Sequence, residues 1–189
     1  DYARAVSYFE KAVEIDPAYA EAWYQAGFSY GMLGKHEESL KASKQAARLR
    51  TEWTETFVNI GASSYALSRF EDAVGAYRQA AKLDAGNADT QYALGLSFNK
   101  LGRTEEEILA YKRAIAIKPD YADAFYNQGN ALKELDRYDE ALKSYDRALT
   151  LRANYAKAHC NRGSVLDLLG RTGDALLSYE QALAIVPDF

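Results

Sequence analysis

Apolar and small side chains recur every three or four residues along the chain, with polar side chains between them. Between residues 122 and 134, such a stripe consists of Ala124, Phe125, Gln128, Gly129 and Leu132. After a short polar break, a second stripe consists of Tyr138, Ala141, Leu142, Tyr145, Ala148 and Leu149. This spacing matches the 3.6-residue period of an amphipathic α-helix. The pattern therefore predicts two helices joined by a turn.

The same two-helix pattern repeats every 34 residues without insertion or deletion. Glycine returns at that spacing at Gly27, Gly61, Gly95, Gly129 and Gly163. Small residues do so on the second helix, at Ala12, Ala46, Ala80, Ala114, Ala148 and Ala182. An aromatic series of Phe9, Tyr77, Tyr111, Tyr145 and Tyr179 is interrupted by Ser43. The register predicts half a unit at 1–19 and full units at 20–53, 54–87, 88–121, 122–155 and 156–189.

Turn and cap signals separate the predicted helices. Three units have glycine at the break, at Gly34, Gly102 and Gly170. A left-handed residue is common at such a helix end, and Asp136 takes that place in the unit 122–155. Asp120, ahead of Asp123, resembles a capping box for the next helix, and Pro119 would end the helix before it. We expect eleven helices and no sheet.

These positions resemble the signature of the tetratricopeptide-repeat family over the whole chain. The family pattern is clearest at Trp23, Ala26, Gly27, Tyr30 and Ala46. The unit 122–155 supplies Phe125, Gly129, Leu132, Ala141, Tyr145 and Ala148. The chain departs from the pattern at Ser39, Thr51, Ala85, Glu107, Ala153 and His159. The resemblance is specific for the fold and says little about function, since such repeats serve many partners.

The resemblance implies an all-α fold, a right-handed superhelical solenoid of antiparallel helix pairs. It would hold five full repeats and one half repeat in a single array from 1 to 189. The array opens on the second helix of a unit, and Asp188 and Phe189 match Asp120 and Tyr121 at the entry to another unit. We therefore expect the chain to be a fragment of a longer protein.

Composition and charge argue against several classes of function. The 23 Lys and Arg against 27 Asp and Glu give a formal charge of −4, whereas nucleic-acid binding needs clustered cations. No apolar run approaches the roughly 18 residues of a membrane-spanning helix. The single cysteine excludes an internal disulfide and a multi-cysteine zinc site. We expect no cofactor and no metal. The lone cysteine and the lack of a visible signal peptide favour a cytoplasmic setting.

Catalysis finds little support in the sequence. His159 and Cys160 are adjacent, so on a helix their side chains point about 100° apart and do not form a nucleophile–base pair. His159 takes the place that Trp23 holds in its own unit, which favours a packing role, and His36 falls in a turn. No phosphate-binding loop, paired-histidine zinc motif, calcium loop or nucleophile elbow is present. The sequence therefore predicts no enzymatic activity for this segment.

In the family, the first helices line a concave groove at the second, fifth, sixth, ninth, twelfth and thirteenth places of each unit. Here the sixth place holds Gln25, Asn59, Ala93, Asn127 and Asn161. Four of these are carboxamides, which offer both a hydrogen-bond donor and an acceptor. They would suit an extended peptide backbone, which presents one of each per residue. The alternative is that these side chains are merely solvated.

The other groove places add aromatic and charged residues. The fifth place holds Tyr24, Val58, Tyr92, Tyr126 and Cys160, and exposed tyrosine suits interfaces unless it packs between first helices. The second place holds Glu21, Glu55, Asp89, Asp123 and Lys157. Its acids would favour basic peptides, or would only stabilise helix N-termini. The predicted groove residues are Tyr24, Gln25, Asn59, Tyr92, Tyr126, Asn127, Asn130, Lys157 and Asn161.

The carboxylate clamp of the chaperone-binding members is not expected here. For a clamp that starts in the unit 88–121, Tyr92 and Leu96 stand where its lysine and asparagine would be, and Asn161 replaces its arginine. In the next unit Asn130 is present, but Tyr126 stands where the lysine would be. An Hsp70- or Hsp90-tail ligand is therefore disfavoured.

Three functions from different classes remain open. The leading hypothesis is a non-catalytic scaffold that binds an extended peptide or protein segment in its groove. The second is a substrate-presenting repeat arm of a larger enzyme, such as a glycosyltransferase. The third is a self-assembling module that associates weakly through its uncapped ends. The partner is expected to be a protein or peptide, without nucleic acid and without insertion into a membrane.

Overall fold

The computed structural model describes residues 1–187 and contains eleven helices in that part of the chain. The expected entry to a further unit at Asp188 and Phe189 lies outside the described residues. The helices, in chain order, are α1 Tyr2–Ile15, α2 Ala20–Met32, α3 His36–Leu49, α4 Thr54–Ala66, α5 Phe70–Leu83, α6 Ala88–Lys100, α7 Thr104–Ile117, α8 Ala122–Glu134, α9 Tyr138–Leu151, α10 Ala156–Leu168 and α11 Thr172–Ile185. The all-α prediction and the helix count are confirmed for the described residues.

A left-handed residue separates the two helices of each pair. Gly34 has a φ of +73°, where glycine has no steric penalty. Ser68 and Asp136 hold the same place in their pairs at φ values of 59° and 57°, although they carry a Cβ. The predicted turn residue Asp136 is therefore confirmed.

The capping box expected at Asp120 is wrong. The N-cap of α8 is Tyr121, and no side chain caps this helix. Asp120 contributes its backbone carbonyl instead, which accepts a hydrogen bond from the Ala122 N–H. A side-chain cap occurs at α6, where Asn87 Oδ1 accepts the Thr90 N–H at 2.9 Å. Asparagine at the N-cap satisfies one of the amides that have no partner inside the helix.

The first unit, residues 1–101, contains α1 to α6. Each helix packs on the next in chain order, and α4 also contacts α2 and α6. The apolar stripes supply the buried residues, among them Val13, Leu40, Ile60, Val74 and Leu94. Because every helix buries its stripe against neighbours in sequence, the unit is a stack of helix pairs.

The second unit begins at Gly102, and its described part contains α7 to α11. Each helix again packs on the next, and α8 contacts α10. Its core joins Ile108, Leu132, Tyr145 and Leu166. A Cβ on Gly129 would lie 2.6–3.0 Å from ring atoms of Tyr145, so only glycine allows α9 to approach α8 this closely. The predicted role of this glycine is confirmed.

Candidate functional site

In the second unit, the structure joins three predicted groove residues through hydrogen bonds. Asn161 on α10 donates from Nδ2 to Asn130 Oδ1 at 2.8 Å and to the Tyr126 hydroxyl oxygen at 3.2 Å. Asn130 and Tyr126 both lie on α8. The two first helices are thus linked by side chains at the point where they contact each other.

Tyr145 of α9 also hydrogen-bonds to Asn130. Its hydroxyl donates to Asn130 Oδ1 at 2.8 Å, and the side chain is completely buried. Burial raises the pKa of Tyr145 well above its usual value, so the hydroxyl keeps its proton at neutral pH and remains a donor. We call Tyr126, Asn130, Tyr145 and Asn161 the carboxamide cluster.

The carboxamide cluster leaves two hydrogen-bonding groups unused among the described residues. Asn130 uses its oxygen twice but keeps its Nδ2 amide as a donor. Asn161 uses its amide twice but keeps Oδ1 as an acceptor. Both side chains are half-buried, and neither unused atom is shut off from solvent. The pair therefore presents one donor and one acceptor, held in place by three hydrogen bonds.

An aromatic and charged group flanks the cluster. The Tyr126 and Tyr155 rings lie 4.8 Å apart, and the Arg152 guanidinium lies 4.6 Å from the centre of the Tyr155 ring. The Tyr155 hydroxyl donates to Asp123 at 2.9 Å. Burial, followed by this contact with Asp123, raises the pKa of Tyr155 well above its usual value. Tyr126 therefore packs against the Tyr155 ring.

The first unit repeats the aromatic part of this arrangement. Tyr24 packs on Trp53 at 4.4 Å, and the Arg50 guanidinium lies 4.6 Å from the centre of the Trp53 ring. Burial, followed by the charges of Glu55 and Glu21, raises the pKa of Tyr24. Two carboxylates, those of Glu21 and Glu55, therefore lie close enough to influence Tyr24.

The remaining predicted groove residues lie in both units. Gln25, Asn59 and Tyr92 are half-buried in the first unit, and Asn127 is half-buried in the second. Lys157 is exposed on α10. Among the nine predicted residues, hydrogen bonds join Tyr126, Asn130 and Asn161.

His159, which the sequence offered as a candidate for catalysis, contacts the backbone of the preceding turn. His159 Nε2 lies 3.0 Å from the Ala153 carbonyl oxygen, and Trp23 Nε1 donates to the equivalent Pro17 carbonyl at 2.9 Å. His159 thus makes the contact that tryptophan makes in the first full repeat. Within residues 1–187, no cluster of His, Cys, Asp or Glu is suited to hold a metal ion. Over the same range, every helix is too short or too polar to span a bilayer.

Several residues around the site were not among the predicted groove residues. Trp53 and Tyr155 are each the last residue of a 34-residue repeat, and they lie three repeats apart. Arg50 and Arg152 precede them by three residues. This second aromatic series, with its basic neighbours, was the available signal. Tyr145 was predicted as a core residue, but its hydroxyl also positions Asn130.

Family models match most of the chain. Models described as tetratricopeptide repeat match residues 60–122, residues 156–189, and both 8–41 and 110–143. A further model, described as TPR repeat, matches residues 129–170. Together the matches cover residues 8–41 and 60–189.

Known proteins resemble the chain mainly in structure. The crystal structure of YrrB, described as a TPR protein with an unusual peptide-binding site, superposes with a TM-score of 0.84 at 21% identity, covering 95% of this chain and 93% of YrrB. The crystal structure of MamA superposes with a TM-score of 0.83 at 22% identity, covering 86% of this chain and 95% of MamA. At these identities the likeness shows the fold alone.

A short sequence match involves protein MJ0572 of Methanocaldococcus jannaschii, which is described as uncharacterized. It is 38% identical over 39 residues, which make up 21% of this chain and 45% of that protein. The match thus spans less than half the length of the relative.

Proposed function

Because the chain belongs to the tetratricopeptide-repeat family, we propose that it is a non-catalytic scaffold that binds an extended peptide segment on its first helices. The observation that carries this proposal is the unused donor of Asn130 beside the unused acceptor of Asn161. An extended peptide residue offers a complementary N–H and C=O. A pair of asparagines that is already oriented loses little side-chain entropy on binding.

Binding through the backbone has a consequence for specificity. The Asn130 amide would donate to a ligand carbonyl, and the Asn161 oxygen would accept a ligand N–H. Neither contact depends on the ligand side chain. The neighbouring aromatic pair, Tyr126 and Tyr155, would add contact area on one side. A similarity in fold to YrrB, whose description includes a peptide-binding site, supports the same role.

The test begins with a linear peptide selected from a random phage-displayed library on the whole chain. Isothermal titration should show that Asn130→Ala and Asn161→Ala each weaken the peptide by about two- to tenfold, which is the effect of one lost hydrogen bond. Asn154→Ala is the matched control, because Asn154 is exposed in the turn before α10. It should leave the affinity unchanged.

A second step identifies the contacted backbone amide. Each N–H of the selected peptide is methylated in turn. One methylation should weaken binding to the native chain yet have no further effect on the Asn161→Ala variant, because both changes remove the same hydrogen bond. If every methylated peptide loses affinity equally for both proteins, the backbone contact with Asn161 is refuted.

A further inference from the structure

The carboxamide cluster depends on the distance between α8 and α10. Asn130 lies on α8 and Asn161 lies on α10, and their hydrogen bond is 2.8 Å long. At about 3.6 Å the two groups would no longer form a hydrogen bond. A shift of about 1 Å between the helices would therefore separate the asparagines. Three residues outside the cluster connect the same two helices near their N-terminal ends.

The first part of this connection is the hydrogen bond between Asp123 and Tyr155. Asp123 lies in the first turn of α8, and Tyr155 is the N-cap residue of α10. The Tyr155 hydroxyl donates to Asp123 Oδ1 at 2.9 Å. The Tyr155 carbonyl accepts from the Ala158 and His159 N–H groups, so the residue that binds Asp123 belongs to the first turn of α10. The side chain of Tyr155 therefore fixes where α10 begins relative to α8.

Arg152 holds both partners of this hydrogen bond. Its two terminal nitrogens each lie 2.9 Å from a different oxygen of Asp123, and its guanidinium lies 4.6 Å from the centre of the Tyr155 ring. A bidentate contact fixes the orientation of a carboxylate as well as its distance. Asp123 therefore presents Oδ1 to Tyr155 in one orientation. We call Asp123, Arg152 and Tyr155 the Asp123 bridge.

The Asp123 bridge reaches the carboxamide cluster through Tyr126. The Tyr155 ring packs on the Tyr126 ring at 4.8 Å, and the Tyr126 hydroxyl oxygen accepts from Asn161 Nδ2 at 3.2 Å. Asn130 Oδ1 accepts from the same nitrogen. These two acceptors orient the amide of Asn161, so that its Oδ1 stays on the other side of the carboxamide as the unused acceptor.

The first full repeat differs in both features. Its equivalent of Tyr155 is Trp53, which has no hydroxyl, and its Arg50 lies 4.0 Å from Glu21. Phe28 replaces the first asparagine of the amide pair. The helices α2 and α4 nevertheless contact each other. A hydroxyl-to-carboxylate contact of this kind is therefore not needed to stack helix pairs, and it occurs in the repeat whose first helix carries Asn130.

We propose that Asp123 and Tyr155 are positioning residues of the peptide site, an inference that rests on the proposed peptide-binding function. The Asp123 carboxylate and the Tyr155 hydroxyl act through Asn161 rather than on the ligand. They hold α8 and α10 at the distance at which Asn161 keeps Oδ1 free for a ligand N–H. A site that is already ordered loses less entropy on binding, so removing either group weakens the peptide.

The first arm of the test needs no ligand. NMR of the whole chain measures solvent exchange of the Asn161 side-chain amide protons, which are assigned by their absence in Asn161→Ala. Asp123→Asn and Tyr155→Phe should each raise this exchange rate about two- to tenfold while retaining the helical circular dichroism spectrum. Glu21→Gln, the equivalent change in the first unit, is the matched control and should leave the rate unchanged. Unchanged exchange in both bridge variants would overturn the proposal.

The second arm uses the linear peptide selected from the random library, with affinity measured by isothermal titration. Asp123→Asn and Tyr155→Phe should each weaken the peptide about two- to tenfold, although Tyr155→Phe keeps the aromatic ring. In the Asn161→Ala background, neither change should have a further effect, because both act through Asn161. Asp123→Glu keeps the carboxylate and should bind more tightly than Asp123→Asn. Equal weakening with and without Asn161 would overturn the proposal.

The two arms separate this inference from the proposed function. Weaker peptide binding without faster exchange at Asn161 would overturn the positioning role and leave the proposed function intact. Faster exchange in both bridge variants, together with a peptide affinity that is the same for the native chain and Asn161→Ala, would confirm that the bridge positions Asn161 and would overturn the proposed function.

Discussion

Arg152 binds Asp123 through both terminal guanidinium nitrogens, each 2.9 Å from a different carboxylate oxygen. In the first unit, the equivalent Arg50 and Glu21 lie 4.0 Å apart. The closer pair also holds the Tyr155 hydroxyl on Asp123. This bidentate contact joins the first turn of α8 to the end of α9 and sets the position of the aromatic pair beside the carboxamide cluster.

The Asp123 contact predicts a loss of stability in acid. The hydrogen bond from Arg152 is the largest influence on the pKa of Asp123 and lowers it. The stabilisation is therefore present above about pH 4, the pKa of aspartate in an unfolded chain, and is lost as the pH falls through the lower folded pKa. At pH 7, Asp123→Asn should reduce the free energy of unfolding by about 0.2–1 kcal/mol, because both side chains are partly exposed.

Urea unfolding between pH 2 and pH 7 measures this effect. The difference between the native chain and Asp123→Asn should shrink below pH 4. Glu21→Gln, at the equivalent but looser contact, serves as the control and should show a smaller difference. A difference that is independent of pH would contradict the assigned origin.

The fit of Tyr145 over Gly129 predicts a steric effect that depends on position. Gly129→Leu should cost about 1–3 kcal/mol by overpacking, because a Cβ would meet the buried ring of Tyr145. Gly75→Ala, also inside a helix, places its Cβ in open space. It should raise stability by about 0.5–1 kcal/mol, since alanine favours the helix. Thermal unfolding followed by circular dichroism measures both. An unchanged melting temperature for Gly129→Leu would mean that the repeat register is wrong.

Tyr77 predicts a loss of stability in alkali. Burial is the main cause that raises the pKa of Tyr77 to about 12. The neutral phenol is therefore favoured in the folded chain, and its stabilisation is present below pH 10 and lost as the pH rises from about 10 to 12. Over this range, the native chain should lose more free energy of unfolding than the Tyr77→Phe variant. Parallel pH dependence of the two proteins would contradict the assignment.

The exposed leucines of α11 predict concentration-dependent association. Leu176 is 60% exposed, Leu177 is 61% exposed, and Leu183 is 47% exposed on α11. Covering apolar area is favourable by about 25 cal/mol per Å². We expect weak association through this face of α11, either by packing on a different surface of a second chain or by pairing of two α11 helices.

Sedimentation velocity over a concentration series tests this association. The double variant Leu176→Glu with Leu183→Glu should be monomeric where the native chain begins to associate. Leu109→Glu is the control, because Leu109 is 48% exposed on α7. A native chain that is monomeric throughout the series would refute the expectation.

The helices, their order and the turns between them follow from local sequence patterns. The 3.6-residue stripes specify each helix, and the 34-residue return of glycine specifies where helices approach closely. Left-handed residues at Gly34 and Asp136 are local requirements of the chain, so they could be predicted without any tertiary contact. The asparagines at the sixth place of the repeats could be predicted as a group, because they follow the same 34-residue spacing.

Which of these side chains meet depends on contacts between helices that are distant in sequence. Asn130 and Asn161 are 31 residues apart, and their hydrogen bond depends on the distance between α8 and α10. The sequence likewise showed the break in the aromatic series at Ser43, but not that the Ser43 hydroxyl is buried without a partner among the described residues. A side chain's neighbours along its own helix follow from periodicity. Its neighbours on another helix depend on how closely the two helices pack, which is set by all the residues between them.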